Sequence, residues 1–298
     1  MTDLEQIAIE RLKAASDMSL QHYGLPLVVT DSGGKDSSVC KELSLRAGIP
    51  FEIQHNHTTA DAPETVRFVR SEAKRFEELG IKYTINMPMY KGQRTSMWNL
   101  IVTKMIPPTR QTRYCCSILK EGGGKGRFIS TGVRWDESRS RKDKRGIYEK
   151  LGSSLKTKII LNNDNDEKRL LFEHCSLKAK RIVNPIIDWK DDDVIGFLED
   201  AQGPINPLYA EGISRVGCIG CPLATKKKRI AEFNRWPQYK DLYISTFDRM
   251  IGERYRKGRM NGDMKIGYCG KDVFNWWMEN NVLPGQIDID DFLEEEDE

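Results

Sequence analysis

The sequence holds no apolar run near the roughly 18 residues that a membrane-spanning helix needs. Its opening, MTDLEQIAIERLKAASD, mixes charge with apolar residues at helical spacing and lacks the basic-then-apolar form of an export signal. A soluble cytoplasmic protein is expected. Internal repeats are absent too, which excludes solenoids and propellers. The seven cysteines are an odd number in a chain with no export signal, which argues against a disulfide framework. Wholesale disorder is excluded by six Trp, ten Phe and ten Tyr, enough apolar area for a real core.

What is present alternates. Leu25 to Thr30 is a β-branched apolar run and reads as a buried strand, followed by a polar turn and a helix to Ala47. A strand over 51–56, a helix over 63–79 and a strand over 82–87 follow. Such alternation indicates α/β architecture, an open, mostly parallel sheet with helices on both faces. Residues 127–133 and 182–189 read as further strand segments. Asp191-Asp192-Asp193 supplies an N-cap and an acidic first turn for a helix near 192–201. The charged stretch 142–170 reads as a mobile loop or a small excursion. From about 224 the chain reads as mainly helical, interrupted at Pro237. The domain expectation is 1–225 for the sheet, 226–286 for a basic helical region and 287–298 for a disordered acidic tail.

Charge is uneven. The last eleven residues hold eight acids and no base, whereas 226–259 holds eleven Lys/Arg against four acids. That basic run reads either as a solvated helix face or as a surface for a polyanion. Phe233, Trp236 and Tyr239 within it recur at helical spacing, as a core stripe does; contact with nucleic-acid bases is the alternative.

Two constellations carry chemistry. Ser32-Gly33-Gly34-Lys35-Asp36-Ser37 lies between a strand and a helix, where free backbone N–H groups favour an anion. It is neither a GxxxxGK[ST] loop nor a GxGxxG fingerprint. Cys115-Cys116 and Cys218-Ile-Gly-Cys221 form two tight thiol pairs, the makings of a cluster or metal site. Cys40, Cys175 and Cys269 stand alone and read as plain thiols.

The hexapeptide in this context resembles the pyrophosphate-binding loop of the adenine-nucleotide α-hydrolase superfamily. Further segments narrow the resemblance to the phosphoadenosine phosphosulfate (PAPS) reductase-like family. They are His57-Thr58-Thr59 with Pro63-Glu64-Thr65, Thr131 to Arg139, Asn184 to Trp189, Asn206-Pro207-Leu208-Tyr209 and Gly217 to Pro222. Two departures stand out, since His57 and Thr59 replace the family's Asp and Gly. The resemblance implies that Ser32, Gly33, Gly34, Lys35, Asp36, Ser37, Thr58 and Gly132 bind the nucleotide. Lys35, Asp36, Arg134 and Arg139 would be catalytic. ATP (or PAPS or adenylylsulfate) and Mg²⁺ are the implied ligands.

The cysteine pattern is similar to that of the [4Fe–4S] adenylylsulfate reductases, and it implies that Cys115, Cys116, Cys218 and Cys221 ligate such a cluster. Zinc and uncoordinated thiols stay open, although adjacent cysteines suit the spread corners of a cubane better than one tetrahedral ion. Lys120, Lys125 and Arg215 lie close in sequence, either to balance cluster charge or as ordinary surface bases. The reductases' catalytic Cys-Gly has one weak counterpart, Cys269-Gly270. The chain also resembles the ATP pyrophosphatases of bacterial DNA phosphorothioation. The expected function is therefore ATP pyrophosphatase chemistry that activates an acceptor, nucleic acid foremost, for sulfur transfer. A cysteine desulfurase or another sulfur donor is a candidate partner and a homodimer a candidate assembly, with the oligomeric state left open and no membrane expected. A sulfonucleotide reductase and a nucleotide-binding component without turnover are the alternatives.

Overall fold

A computed structural model describes residues 2–121, 126–151, 158–162, 180–258 and 269–279. In chain order the elements are α1 (Asp3–Tyr23), β1 (Leu27–Asp31), α2 (Lys35–Ala47), β2 (Phe51–Asn56), α3 (Pro63–Glu78), β3 (Tyr83–Asn86), β4 (Met89–Tyr90), β5 (Gln93–Arg94) and α4 (Met97–Lys104). Then come β6 (Phe128–Ser130), α5 (Arg139–Lys144), β7 (Tyr148–Leu151), β8 (Lys158–Leu161), β9 (Lys180–Val183), α6 (Asp191–Ala201), α7 (Lys226–Arg235), α8 (Pro237–Arg256) and α9 (Gly270–Met278). No described helix is long and apolar enough to cross a membrane.

The chain divides into two units. The first comprises 1–57, 62–86 and 123–217; the second gathers 58–61, 87–122 and 218–298. The boundary expected at 225 therefore differs from this division. Segments 58–61 and 87–122 leave the sheet region of the sequence and join the C-terminal helices, which no local composition change announces.

The first unit is a seven-stranded sheet in the order β3-β2-β1-β6-β9-β7-β8. β3, β2, β1, β6 and β9 run parallel, and β7 is antiparallel to both β9 and β8. Leu27 and Val29 on β1, Ile53 on β2 and Phe128 on β6 join one core with Leu12, Val39, Leu43, Phe76 and Phe197 from the helices. The alternate residues Val28, Ile129 and Ile182 are buried as well. Strands buried on both faces read as continuous apolar runs, which is why LPLVVT stands out in the sequence. The β1 and β6 ends bracket the point where strand order reverses, the usual place for a ligand crevice in such sheets.

Two expectations are narrowed or corrected. Of the two readings of 142–170, residues 148–151 and 158–161 follow the small excursion, as an antiparallel pair, and not the mobile loop. Charge disguised them: Glu149 is buried, and its carboxylate takes the Arg145 guanidinium at 2.5 Å and the Asn184 amide at 2.9 Å. The remainder of that stretch, 163–170, lies outside the described residues, as do Lys125, Cys175 and the acidic tail. The cap of α6 also moves by one residue. Lys190 is the N-cap, and Asp193 accepts its backbone N–H at 2.8 Å.

The second unit packs α8 against α9 and α4 around an aromatic core. Tyr243 meets Trp277 with centroids 4.7 Å apart and Trp98 at 5.0 Å, and Phe233 meets Phe274 at 5.2 Å. Phe233 and Trp236 are buried. The helical-spacing stripe is therefore core, and the two rings offer no stacking platform for bases. Pro237 occupies the first turn of α8, where its missing N–H costs nothing.

Candidate functional site

The first unit gathers polar and charged groups at the head of α2. Asp31 ends β1, and its buried carboxylate organises the turn. One oxygen accepts from Gly33 N–H at 2.7 Å and from Ser37 Oγ at 2.9 Å. The other accepts from Lys41 Nζ at 2.8 Å and Tyr83 Oη at 2.5 Å. Burial pushes the Asp31 carboxyl up, but Lys41, Tyr83 and Gly33 together hold it well below the usual carboxylate range. Lys41 is itself fully buried and shared with Glu72 at 2.8 Å.

Above this network the turn is pinned from other elements. Gly33 takes φ +73°, and a Cβ there would stand 2.7 Å from Thr65 Cγ2. Asn206 donates to Gly33 O at 2.9 Å, and Tyr209 Oη accepts Lys35 N–H at 3.0 Å. Ser32 and Ser37 hydroxyls lie 3.2 Å apart. Gly34 caps α2 without a side chain, so the first-turn N–H groups of Asp36 and Ser37 have no partner within the helix.

Cations converge on the same place. Arg134, which follows β6, is 2% exposed; its Nε donates to Asp36 at 2.7 Å and its Nη2 to Asp191. Lys35 Nζ bonds the same Asp191 oxygen at 2.7 Å. Asp191 is held below its ordinary value by the Lys35 hydrogen bond first and then by Arg134, while the two acids raise Arg134 against the cost of burial. Gly132 lets the two segments meet, for a Cβ there would lie 2.8 Å from the Asp36 backbone carbon and oxygen. Arg141 adds a further guanidinium. Burial first, then repulsion by Arg215 and Arg145, brings it down to about 10.

Thus the structure gathers Ser32, Gly33, Gly34, Lys35, Asp36, Ser37, Gly132 and Arg134. Arg139 opens α5, and its side chain lies outside the described set. Arg215 sits here, 4.0 Å from Glu137. Asp31, Asp191, Asn206, Tyr209 and Arg141 receive no role from the sequence. Asn206 and Tyr209 do fall within a quoted motif, and Asp31 marks where an apolar run meets a polar turn.

The second unit brings the four cysteines together. Cys115, Cys116, Cys218 and Cys221 line one cavity with Lys120 and Thr58. Backbone pairing sets Cys218: Asp61 bridges to it, and Ile219 N–H donates to Ala60 O at 2.8 Å. Cys221 N–H returns to Cys218 O at 3.3 Å, closing the CxxC turn. Cys116 opens a wide helical turn, 116–120, which carries Lys120 round to the thiols. Thr58 belongs here, with its Oγ1 accepting from Cys218 Sγ at 3.4 Å. Thr59, where the family has Gly, holds φ +65°, and its Oγ1 accepts Met97 N–H at 2.8 Å at the head of α4.

The six described cysteines are free thiols. Contact with Cys116 and burial push Cys115 up, while the same contact, with Lys120, pulls Cys116 down. Burial pushes Cys218 up to about 11. Cys218, with Asp61 and Cys221, raises Lys120 above the ordinary lysine range against the cost of burial. Four thiols this close resist joint ionisation unless a multivalent cation accepts them all, and thiolates suit Fe–S clusters and Zn²⁺. The donor set fits such a group.

Cys269 is exposed and caps α9; Asp272 accepts its backbone N–H at 2.8 Å. The neighbouring glycine has a packing reason. A Cβ on Gly270 would stand 2.1 Å from Ile244 O of α8. Cys-Gly here follows from helix contact as much as from chemistry.

Among known proteins, residues 26–224 match the phosphoadenosine phosphosulfate reductase domain. The uncharacterised protein MJ0973 of Methanocaldococcus jannaschii is 30% identical over 244 residues, 80% of this chain and 49% of that protein. The chloroplastic 5′-adenylylsulfate reductase 1 of Arabidopsis thaliana is 23% identical, covering 98% of this chain and 59% of its own. The chain thus spans about half the length of these relatives. Among solved structures, the PAPS reductase of Candida auris in its phosphate complex has a TM-score of 0.45 and 18% identity, over 71% of this chain and 87% of that one. The [4Fe–4S] U34-tRNA thiolase NcsA of Methanococcus maripaludis has a TM-score of 0.39 and 16% identity, over 87% and 83%.

Proposed function

Because the chain belongs to the phosphoadenosine phosphosulfate reductase domain family, we propose that it binds an adenine nucleotide at the head of α2 and uses it to activate an acceptor for sulfur transfer. One observation carries the reading. Arg134 is a buried guanidinium that bonds Asp36 in the first turn of α2 and shares Asp191 with Lys35, beside the strand-order reversal.

In this reading the α2 N–H groups and the Ser32 and Ser37 hydroxyls take phosphate oxygens. Lys35 and Arg134 exchange their carboxylate partners for those oxygens. Attack on the α-phosphorus loads charge onto the leaving pyrophosphate, and the two cations neutralise it. Mg²⁺ arriving with ATP would share that neutralisation, with Asp36 and Asp191 as its available carboxylates. A [4Fe–4S] cluster on Cys115, Cys116, Cys218 and Cys221 would supply redox or sulfur-handling chemistry. We take the acceptor to be nucleic acid, facing the exposed Lys226, Lys227, Arg235 and Lys240 of α7 and α8, with a cysteine desulfurase as donor.

A second reading, sulfonucleotide reduction, is favoured by the exposed thiol of Cys269. Anaerobic protein incubated with α-labelled ATP or with labelled PAPS, with and without DNA, separates the two. AMP and pyrophosphate without sulfite support sulfur transfer. Thioredoxin-dependent sulfite, lost on Cys269→Ser, supports reduction. ATP binding with neither product, DNA present, would defeat both and leave a nucleotide-binding component.

A further inference from the structure

Arg229 is a buried cation with no ion-pair partner among the described residues. It lies on α7 and is 2% exposed. Nη1 donates to Trp277 O at 2.9 Å, and the guanidinium stacks 3.9 Å from the Trp277 ring centroid. Nε and Nη2 are buried without a hydrogen-bond partner. Glu232, one turn along the helix, is engaged elsewhere, by Gly220 N–H at 2.8 Å and by Lys228 at 4.0 Å. Guanidinium does not give up its proton in proteins, so burial leaves a charge rather than a neutral group. A buried charge with no counter-charge is costly, and native structures rarely tolerate one.

The surroundings say where the counter-charge belongs. Arg229 stacks on Trp277, whose ring lies 4.7 Å from that of Tyr243, and Glu232 on the same helix accepts Gly220 N–H within the Cys218–Cys221 turn at 2.8 Å. Tyr243 and Cys221 both line the four-cysteine cavity. Four thiolates around Zn²⁺, or around a [4Fe–4S] core of charge +2, leave a net charge of about −2. Lys120 meets that charge from the cavity wall.

We propose that Arg229 is the buried counter-cation of a four-thiolate metal centre at Cys115, Cys116, Cys218 and Cys221. The assignment rests on the reading that these cysteines hold a metal group. It makes metal loading and the burial of Arg229 mutually stabilising: each supplies the charge that the other lacks.

The test compares full-length wild type, Arg229→Met and Arg229→Lys, each metal-free and each loaded anaerobically, with Zn²⁺ or with iron and sulfide. Chelator competition should show metal affinity at least tenfold lower in Arg229→Met and largely recovered in Arg229→Lys. With iron, the equilibrium constant for reduction should fall at least tenfold, a drop of 59 mV for one electron. Thermal unfolding gives the decisive sign. Loaded Arg229→Met should melt below loaded wild type, whereas metal-free Arg229→Met should melt at or above metal-free wild type. A role limited to stacking on Trp277 would lower both forms alike and would overturn the proposal, as would affinities within threefold of each other. If Arg229→Met does not fold, Arg229→Gln, which keeps donors without charge, carries the same comparison. Wild type that takes up no metal would sink the four-cysteine reading itself; equal effects in loaded protein would sink only the role of Arg229.

Discussion

Gly132→Ala tests the head of α2 most directly. The new Cβ would stand 2.8 Å from the Asp36 carbonyl carbon and oxygen, where ordinary contact begins at 3.4 Å. One segment must therefore retreat by about 0.6 Å. The obstacle is backbone in the first turn of α2, so no side chain can swing aside. Overpacking of this kind costs about 1–3 kcal/mol. Gly132 has no positive φ, so the change carries no added backbone strain. Displacement would also pull Asp36 from Arg134, now 2.7 Å away, and re-aim the N–H groups of the helix head. If most of the cost falls on the bound state, affinity for nucleotide drops by about 5- to 150-fold, since 1.4 kcal/mol is tenfold. Titration calorimetry with ATP and with adenylylsulfate measures it. Gly196→Ala is the matched control: nothing lies within 4 Å of a Cβ there, inside α6. That change should be neutral or stabilise by up to about 1 kcal/mol. Gly132→Ala binding within threefold of wild type, with an unchanged melt, would refute the close-approach argument.

Three further outcomes follow from the geometry. Gly270→Ala should separate α8 from α9 and cost at least about 1–3 kcal/mol in a urea melt, because Ile244 O stands 2.1 Å from the added carbon; a neutral result would remove the packing explanation of Cys-Gly. Thr59→Gly trades relief of left-handed strain, about 1–2 kcal/mol, for a lost hydrogen bond of about 0.5–1.5 kcal/mol, so stability should change by no more than about 1.5 kcal/mol. Thr59→Val keeps the strain and loses the bond to Met97, and should be the worse of the two; the reverse order would contradict the account. The Asp31 carboxyl is depressed, so its contribution is fully present above its unfolded value of about 3.9 and is lost as pH falls toward the folded one. Tyr83→Phe removes one of its donors and should move acid unfolding, followed by circular dichroism, to higher pH; no shift, or a downward one, would count against the network.

The sequence shows most where local patterning and tertiary role coincide. β2 falls on the expected 51–56, and α3, α6 and the helix break at Pro237 lie within a residue or two of expectation. The Gly-Gly turn and both cysteine pairs are legible because short motifs bring their polar atoms and thiols together by themselves. What stays hidden depends on distant partners. β7 looks like a solvated loop until Arg145 and Asn184 neutralise Glu149. Asp31 looks like any turn acid until Lys41 and Tyr83 arrive beneath it. Arg229 sits in the run Lys226-Lys227-Lys228-Arg229, where nothing in composition separates the one interior cation from the exposed ones. The division into units escapes for the same reason, since 87–122 carries no mark of its company.

The discontinuity of the second unit sets an order of events at the ribosome. Cys116 precedes Cys218 by 102 residues, and the helices that enclose their cavity come later still. At about 5–20 residues per second, the first thiol pair waits roughly 5–20 s for its complement. Through that interval two adjacent cysteines stand without their partners, open to oxidation or to whichever thiophilic ion arrives first. The sheet and the head of α2, encoded largely upstream, can assemble meanwhile. The nascent chain thus completes the turn at 32–37 before it can close its thiol cavity, and on the proposed function any metal the four cysteines take up is needed only at the end of synthesis.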